Sequence, residues 1–307
     1  MFMKIVNYQI KAPLAESRIG VVLNKKVFDL HEIHKALMEM GEVSRGLLIP
    51  HEPMEFYKNF DVWIRLAQEA IDQASKLDET FSYAFPLEEI KLNTPVPSPS
   101  KIICIGTNYA DHVKEMGSKI PDYPVLFSKF TNALIGPEDL IYKNDQTEKL
   151  DYEVELAVII GKRAKRVSEK DAFDYVAGYT IANDTSARDL QKRTPQWLQG
   201  KTQDHSTPVG PWLVTKDEIT NPGNLAIQSF VNGEKRQSSN TKHLIFDIAH
   251  LIHFISYLFT LEPGDLILTG TPDGVGMARN RFLQAGDQVT LEIEGIGAMT
   301  NKIVDEP

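Results

Sequence analysis

The stretch DYEVELAVIIG, residues 151–161, decides how the rest of the chain is read. From Glu153 onward it reads as a strand, with Glu153, Glu155, Ala157 and Ile159 on one face and Val154, Leu156, Val158 and Ile160 on the other. The two carboxylates project the same way, about 7 Å apart at their Cα atoms. Two anions leading so apolar a strand are costly unless water or a cation receives them. A solvated strand end is the plain alternative for any lone E-x-E. A further acidic residue, Asp184, ends a second apolar segment, GYTIAND at 178–184. Two Glu and one Asp make an all-oxygen set suited to a hard cation, Mg²⁺ or Mn²⁺, with positions left for water and substrate. Zinc is disfavoured, because the His31/His34 and His250/His253 pairs lack an evident further ligand and read as packing residues.

Outward from this strand, short β-rich segments recur at Ile102 to Ile105, Gly178 to Ala182, Leu225 to Val231, Leu266 to Leu268 and Val289 to Ile293. Glycine and proline punctuate them, so the larger part of the chain is expected to be α+β and mainly β, with local helices. The first 90 or so residues look like a smaller unit. Val21 and Leu23, then Val27, Phe28 and Leu30, suggest a hairpin turning at Asn24-Lys25-Lys26, and the apolar spacing from Asp61 to Leu77 predicts a helix capped by Asp61. Three prolines in NTPVPSPS, residues 93–100, predict an extended connector. The expected organisation is a small α+β domain over 1–92, that connector, and a larger domain over 101–307. No internal repeat or low-complexity segment interrupts it.

With 33 Lys+Arg against 42 Asp+Glu in 307 residues, the net charge is −9, which excludes a nucleic-acid binder held by bulk electrostatics. Hydrophobic residues at 42% suffice for a sizeable core. A lone cysteine, Cys104, allows no intramolecular disulfide, and the N-terminus lacks the pattern of a signal peptide, so a cytoplasmic location is expected. The apolar stretch Ile245 to Phe259 is shorter than the roughly 20 residues a membrane span needs and carries Asp247, His250 and His253. It reads as a buried helix, and no membrane partner is expected.

Residues 106–117, GTNYADHVKEMG, predict a short helix capped by Asn108 and ended by Gly117, with His112 and Glu115 on one face. A carboxylate beside imidazole can fix its tautomer and make it a general base, although a solvated helix face would carry the same pair. Gly200-Lys201-Thr202 is not a phosphate loop, since Pro195 stands where glycine is required, and residues 270–276, GTPDGVG, miss the dinucleotide-fold spacing. The second segment remains a glycine-rich loop able to offer backbone donors, Gly270 among them, to an anionic substrate or to form an ordinary turn. Cys104, inside an apolar strand, reads as an inert thiol.

Together the segments IGTNYADH (105–112), PVLFSK (124–129), LDYEVEL (150–156), GYTIANDTSARD (178–189), Gly200-Lys201, VNGE (231–234) and LTGTPDGVG (268–276) resemble the fumarylacetoacetate hydrolase family, in order, over roughly residues 100 to 304. The resemblance implies a mixed β-sandwich roll, a divalent metal in an open site, Mg²⁺ or Mn²⁺, and a homodimer. It implies Glu153, Glu155 and Asp184 as metal ligands, His112 with Glu115 as the dyad activating water, Lys201 as the lysine reaching the metal-bound substrate, and Lys129, Gln191 and Thr271 as pocket residues. Arg188 reads equally as ion pair or ligand clamp. Thr107 stands where the acylpyruvase-like branch often has arginine. The leading expectation is metal-assisted hydrolysis of a carbon-carbon bond in a β-diketo acid such as an acylpyruvate, a small 2-oxo acid. Decarboxylation of oxaloacetate, or tautomerisation or isomerisation of oxaloacetate or a 2-hydroxydienoate, passes through the same enolate and is the alternative. A catalytically idle metabolite-binding scaffold is the third.

Overall fold

A computed structural model describes residues 3–76 and 83–307. Strand Val154–Ile160 is buried at every position and lies inside a large sheet, antiparallel to Val176–Asn183 on one side and to Leu266–Leu268 on the other. Its alternation divides two cores. Val154, Leu156, Val158 and Ile160 pack with Leu251, Ile252 and Ile255 of helix Ile248–Leu258 and with Val289 and Leu291 of a second sheet. Ala157 and Ile159 face the other way, toward Ile5, Ile19, Phe56 and Leu213.

The large sheet runs in the order Ala84–Pro86, Lys26–Asp29, Arg18–Leu23, Lys4–Ile10, Thr207–Thr215, Val176–Asn183, Val154–Ile160, Leu266–Leu268, Ile102–Gly106, Val125–Lys129. It is mixed, because Leu266–Leu268 and Ile102–Gly106 run parallel. A second sheet orders Glu234–Asn240, Ala226–Val231, Gln288–Ile293, Gly297–Asp305 and Ile141–Lys143. The architecture is α+β and mainly β.

Local details depart from expectation in instructive ways. The hairpin turns on Asn24 and Lys25, both at positive φ (48° and 63°), as a tight two-residue turn demands. Asn59 stands at the N-cap position of helix Phe60–Ala74 without a side-chain capping bond, and Asp61 lies in the first turn instead of capping it. Leu77, the expected end, lies outside the described residues. Asn93 closes strand Ile90–Asn93, so the irregular connector begins one residue later than the prolines suggested. The apolar stretch near residue 250 is helix Ile248–Leu258, capped by the Asp247 carboxylate, which accepts the His250 N–H at 2.8 Å. Among the described residues no helix is long and apolar enough to cross a membrane.

The two histidine pairs are occupied elsewhere. His31 Nδ1 lies 2.6 Å from the Ile49 carbonyl, and His34 Nδ1 accepts the Ile49 N–H. His250 Nδ1 meets Glu169, and His253 Nδ1 meets the Val167 carbonyl.

Strand Thr207–Thr215 was not foreseen, because Pro208, Gly210 and Pro211 interrupt its pattern. It pairs Lys4 with Val214 and Ile5 with Leu213 on one edge and takes Val176–Asn183 on the other. The N-terminal strands thereby join the sheet that carries the acidic residues.

Candidate active site

Glu153, Glu155 and Asp184 meet because two neighbouring antiparallel strands bring them to one end of the sheet. Glu155 stands opposite Ala182, the Glu153 N–H donates to Asn183 Oδ1 at 2.9 Å, and the Glu153 carbonyl accepts the Asp184 N–H at 3.0 Å. One oxygen from each carboxylate lies within 4.8 Å of the others, and all three residues are buried. Among the described residues no other group of three or more such side chains could hold a metal.

The neighbouring cations are unequally shared. Lys201 Nζ reaches Glu153 Oε2 at 2.5 Å and Asp184 Oδ2 at 2.6 Å. Lys129 Nζ lies 2.7 Å from Asp184 Oδ1, and Arg188 binds Glu153 Oε1 through Nη2 at 2.5 Å and Asp151 Oδ2 through Nε at 2.8 Å. Glu155 accepts only the Gly270 N–H, at 2.7 Å, and has no ion pair among the described residues.

The proton affinities follow. Burial alone pushes Glu153 up, but Arg188 and Lys201 outweigh it and hold the carboxyl below its usual range. Burial, then the Asp184 and Glu153 charges, push Glu155 well above that range. Burial pulls Lys201 down, yet Asp184 and Glu153 more than compensate and keep the ammonium protonated. Of the three carboxylates, Glu155 is therefore left without an ion pair among the described residues, with oxygen donors of the other two converging on it. That donor set fits a divalent hard cation, with Glu153, Glu155 and Asp184 as its holders.

Helix Ala110–Glu115 follows strand Ile102–Gly106 and carries His112 to the same place. Asn108 does not cap it. Its amide donates to the Thr269 carbonyl at 2.8 Å and the Phe246 carbonyl at 3.0 Å, and its oxygen accepts the Phe246 N–H, fastening the helix start to two neighbouring segments. Glu115 fastens the other end, both oxygens accepting the Gly274 N–H at 3.0 and 3.1 Å. Burial pushes Glu115 up, but His112 and the Gly274 N–H bring it below the usual range. His112 Nδ1 lies 3.7 Å from Glu115 Oε2, beyond hydrogen-bond reach, and has no other partner among the described residues. The expected dyad is thus adjacent without being bonded.

A cavity of about 190 Å³ opens over the cluster. Its wall includes the three carboxylates, Lys201, His112 and Arg188, with Gln191, Thr271 and Thr107 beside them. Gln191 Oε1 accepts from Arg188 Nη1, and Thr271 Oγ1 donates to the Val154 carbonyl. Lys129 and Gly270 were expected at the substrate and are not on this wall: they hold Asp184 and Glu155 from behind. Gly270 has φ +103°, and a Cβ there would lie 2.8 Å from Asn108 Cβ, so glycine is required.

Two features escaped sequence reasoning. Asp151 accepts Arg188, the Gly276 N–H at 2.7 Å and the Met277 N–H at 2.9 Å, tying the acidic strand to the glycine-rich loop. The apolar wall of Met116, Phe127, Trp197 and Met277 comes from four separate segments. The first hint of Asp151 was its place beside the E-x-E, whereas nothing local marks the apolar wall.

The family model described as fumarylacetoacetate (FAA) hydrolase C-terminal matches residues 101–304. The chain is 43% identical over 293 residues to the oxaloacetate tautomerase YisK of Bacillus subtilis (strain 168), covering 93% of this chain and 95% of that protein. It is 41% identical over 308 residues to the mitochondrial oxaloacetate tautomerase Fahd2a of Rattus norvegicus, covering 98% and 92%. Among solved structures, maleylpyruvate hydrolase from Sphingobium sp. SYK-6, in complex with manganese(II) ion and pyruvate, superposes with a TM-score of 0.76 at 28% identity, over 99% of this chain and 100% of that one. By the family model over residues 101–304 and by these near-full-length likenesses, the chain belongs to the fumarylacetoacetate hydrolase family.

Proposed function

We propose that the protein is a divalent-metal-dependent oxaloacetate tautomerase that interconverts the enol and keto forms of a small 2-oxo diacid. The supporting observation is the near-full-length identity to an oxaloacetate tautomerase, 43% over 93% of the chain. This reading takes precedence over hydrolysis, the leading expectation from the sequence.

Glu153, Glu155 and Asp184 would hold the cation, Mg²⁺ or Mn²⁺. A cation held there would supply Lewis acidity that favours the anionic, enolate form of a 2-oxo acid. Lys201, buried and held protonated beside Glu153 and Asp184, favours the same anionic form. His112 passes the proton: C3 gains one, the enol oxygen loses one, and no water is consumed. Glu115, anchored on the Gly274 N–H, fastens the end of the helix that carries His112. With Thr107 in place of arginine, Lys192 on the cavity wall is the cation left for the distal carboxylate, as it forms no ion pair among the described residues. A homodimer completes the reading.

Acylpyruvate hydrolysis is the second reading, favoured by the maleylpyruvate hydrolase likeness and by the place of His112 on the cavity wall beside the carboxylates. One experiment separates the two. Enol-oxaloacetate and a panel of acylpyruvates are offered with Mg²⁺, Mn²⁺ or excess chelator, following loss of enol absorbance, carbon dioxide, and pyruvate with acid product. Enol loss should be metal-dependent and should fall about 100-fold or more in His112→Ala. Acylpyruvate cleavage without enol-keto exchange would replace tautomerisation by hydrolysis.

A further inference from the structure

We infer that Trp197 is a specificity-determining partition, closing the catalytic cavity against an apolar groove and so excluding 2-oxo acids that bear a long apolar chain. The inference rests on reading the cavity as a 2-oxo acid site.

Two hollows lie back to back here. The cavity over the carboxylates measures about 190 Å³. A groove of about 580 Å³ lies beside it, with Leu126, Phe130, Leu198 and Phe259 in its wall. The two share only Phe127 and Trp197, so these rings stand between them. Their centroids are 5.3 Å apart, packed edge to face at 64°.

Contacts with Gly106 and Gly200 set the position of Trp197. A Cβ on Gly106 would lie 2.5 Å from its Cζ3 and 2.8 Å from its Cη2, so the indole rests directly on a backbone that only glycine allows. The Trp197 carbonyl accepts the Gly200 N–H at 3.0 Å, opening the short turn Leu198–Lys201. Gly200 in turn seats on the 187–191 segment, where a Cβ would meet the Ala187 carbonyl oxygen and the Gln191 nitrogen, each at 2.5 Å. Lys201 Nζ sits 4.7 Å from the Phe127 ring centroid. The turn that delivers the ammonium to the carboxylates therefore also sets the indole, and the room beside the reacting end is fixed with it.

A four-carbon diacid needs no space beyond this wall, whereas a long alkyl tail must cross it. Removing the indole joins the two hollows and gives such a tail an apolar channel. Burial of each further pair of methylenes then strengthens binding roughly tenfold.

The test measures Mn²⁺-dependent binding of oxalate and of 2-oxooctanoate to the full-length wild type, Trp197→Ala and Trp197→Leu by calorimetry, with enol-oxaloacetate turnover assayed in parallel. Wild type should bind oxalate and exclude 2-oxooctanoate. Both variants should gain about tenfold or more for 2-oxooctanoate while oxalate changes less than about threefold. Equal binding of both ligands by wild type, or no gain for the long acid in a folded variant, overturns the partition. A switch in selectivity in a protein without tautomerase turnover upholds the partition and removes the proposed reaction instead.

Discussion

Glu155 is the residue on which stability and function pull in opposite directions. Its carboxylate is buried, faces two others, and among the described residues receives one backbone N–H and no ion pair. Without a bound metal, folding must therefore either protonate it or bury an uncompensated charge, while the unfolded chain leaves it ionised in water. Glu155→Gln keeps an acceptor for the Gly270 N–H and removes that burden. The cation-free protein should become more stable at neutral pH, on the order of 2 kcal/mol, and the rise in melting temperature on adding Mn²⁺ should largely vanish. A variant less stable than wild type, with its Mn²⁺ response intact, would show that Glu155 is not the uncompensated member of the cluster. The residue scale is also where the sequence was most legible. A period of two puts Glu153 and Glu155 on one face whatever surrounds them, and the unpaired Cys104 is buried as its apolar strand implied. His112 and Glu115 fall three apart on a real helix, but helical spacing leaves rotamers open, and Glu115 turns to Gly274.

At the scale of elements, legibility followed from how far each element depends on its own sequence. Val154–Ile160 and Leu266–Leu268 are apolar runs that announce themselves, and both lie where expected. Thr207–Thr215 is a strand because neighbours pair with both its edges, and its prolines conceal it from any local reading. Helix Ala110–Glu115 is the opposite case: six residues cannot hold a helix alone, so tertiary bonds must do it. Asn108 secures the start and Glu115 the end. Glu115→Ala should therefore loosen the helix without disturbing the carboxylates. Amide hydrogen exchange should quicken over residues 110–116 and at Gly274, turnover should drop about tenfold or more, and Mn²⁺ affinity should stay within about twofold. Unchanged exchange with a lost metal affinity would place Glu115 in the metal's own environment instead.

The whole molecule raises a question that no single segment answers: whether residues 1–92 stand alone. Composition and the proline-rich stretch suggest a separate unit, because sequence marks where a chain lacks regular structure and is silent on which strands pair across that gap. In space, Lys4–Ile10 lies against Thr207–Thr215, and one core joins Ile5, Ile19 and Phe56 to Leu213, Ala182 and Leu268. Helix Phe60–Ala74 contributes Phe60, Ala67 and Ile71 to the same core. A fragment of residues 93–307 would leave one edge of Thr207–Thr215 without that neighbour and expose the apolar face beneath it, the arrangement that invites edge-to-edge association. The full chain should accordingly melt in one calorimetric transition, and the fragment should bind a dye for exposed apolar surface and aggregate at micromolar concentration. The carboxylates belong to strands inside the same sheet, so Mn²⁺ should raise the melting temperature of the full chain as one unit. Two transitions, only the second moved by Mn²⁺, together with a monodisperse fragment that still binds the ion, would establish the first 92 residues as an independent domain whose shared core adds little to the catalytic fold.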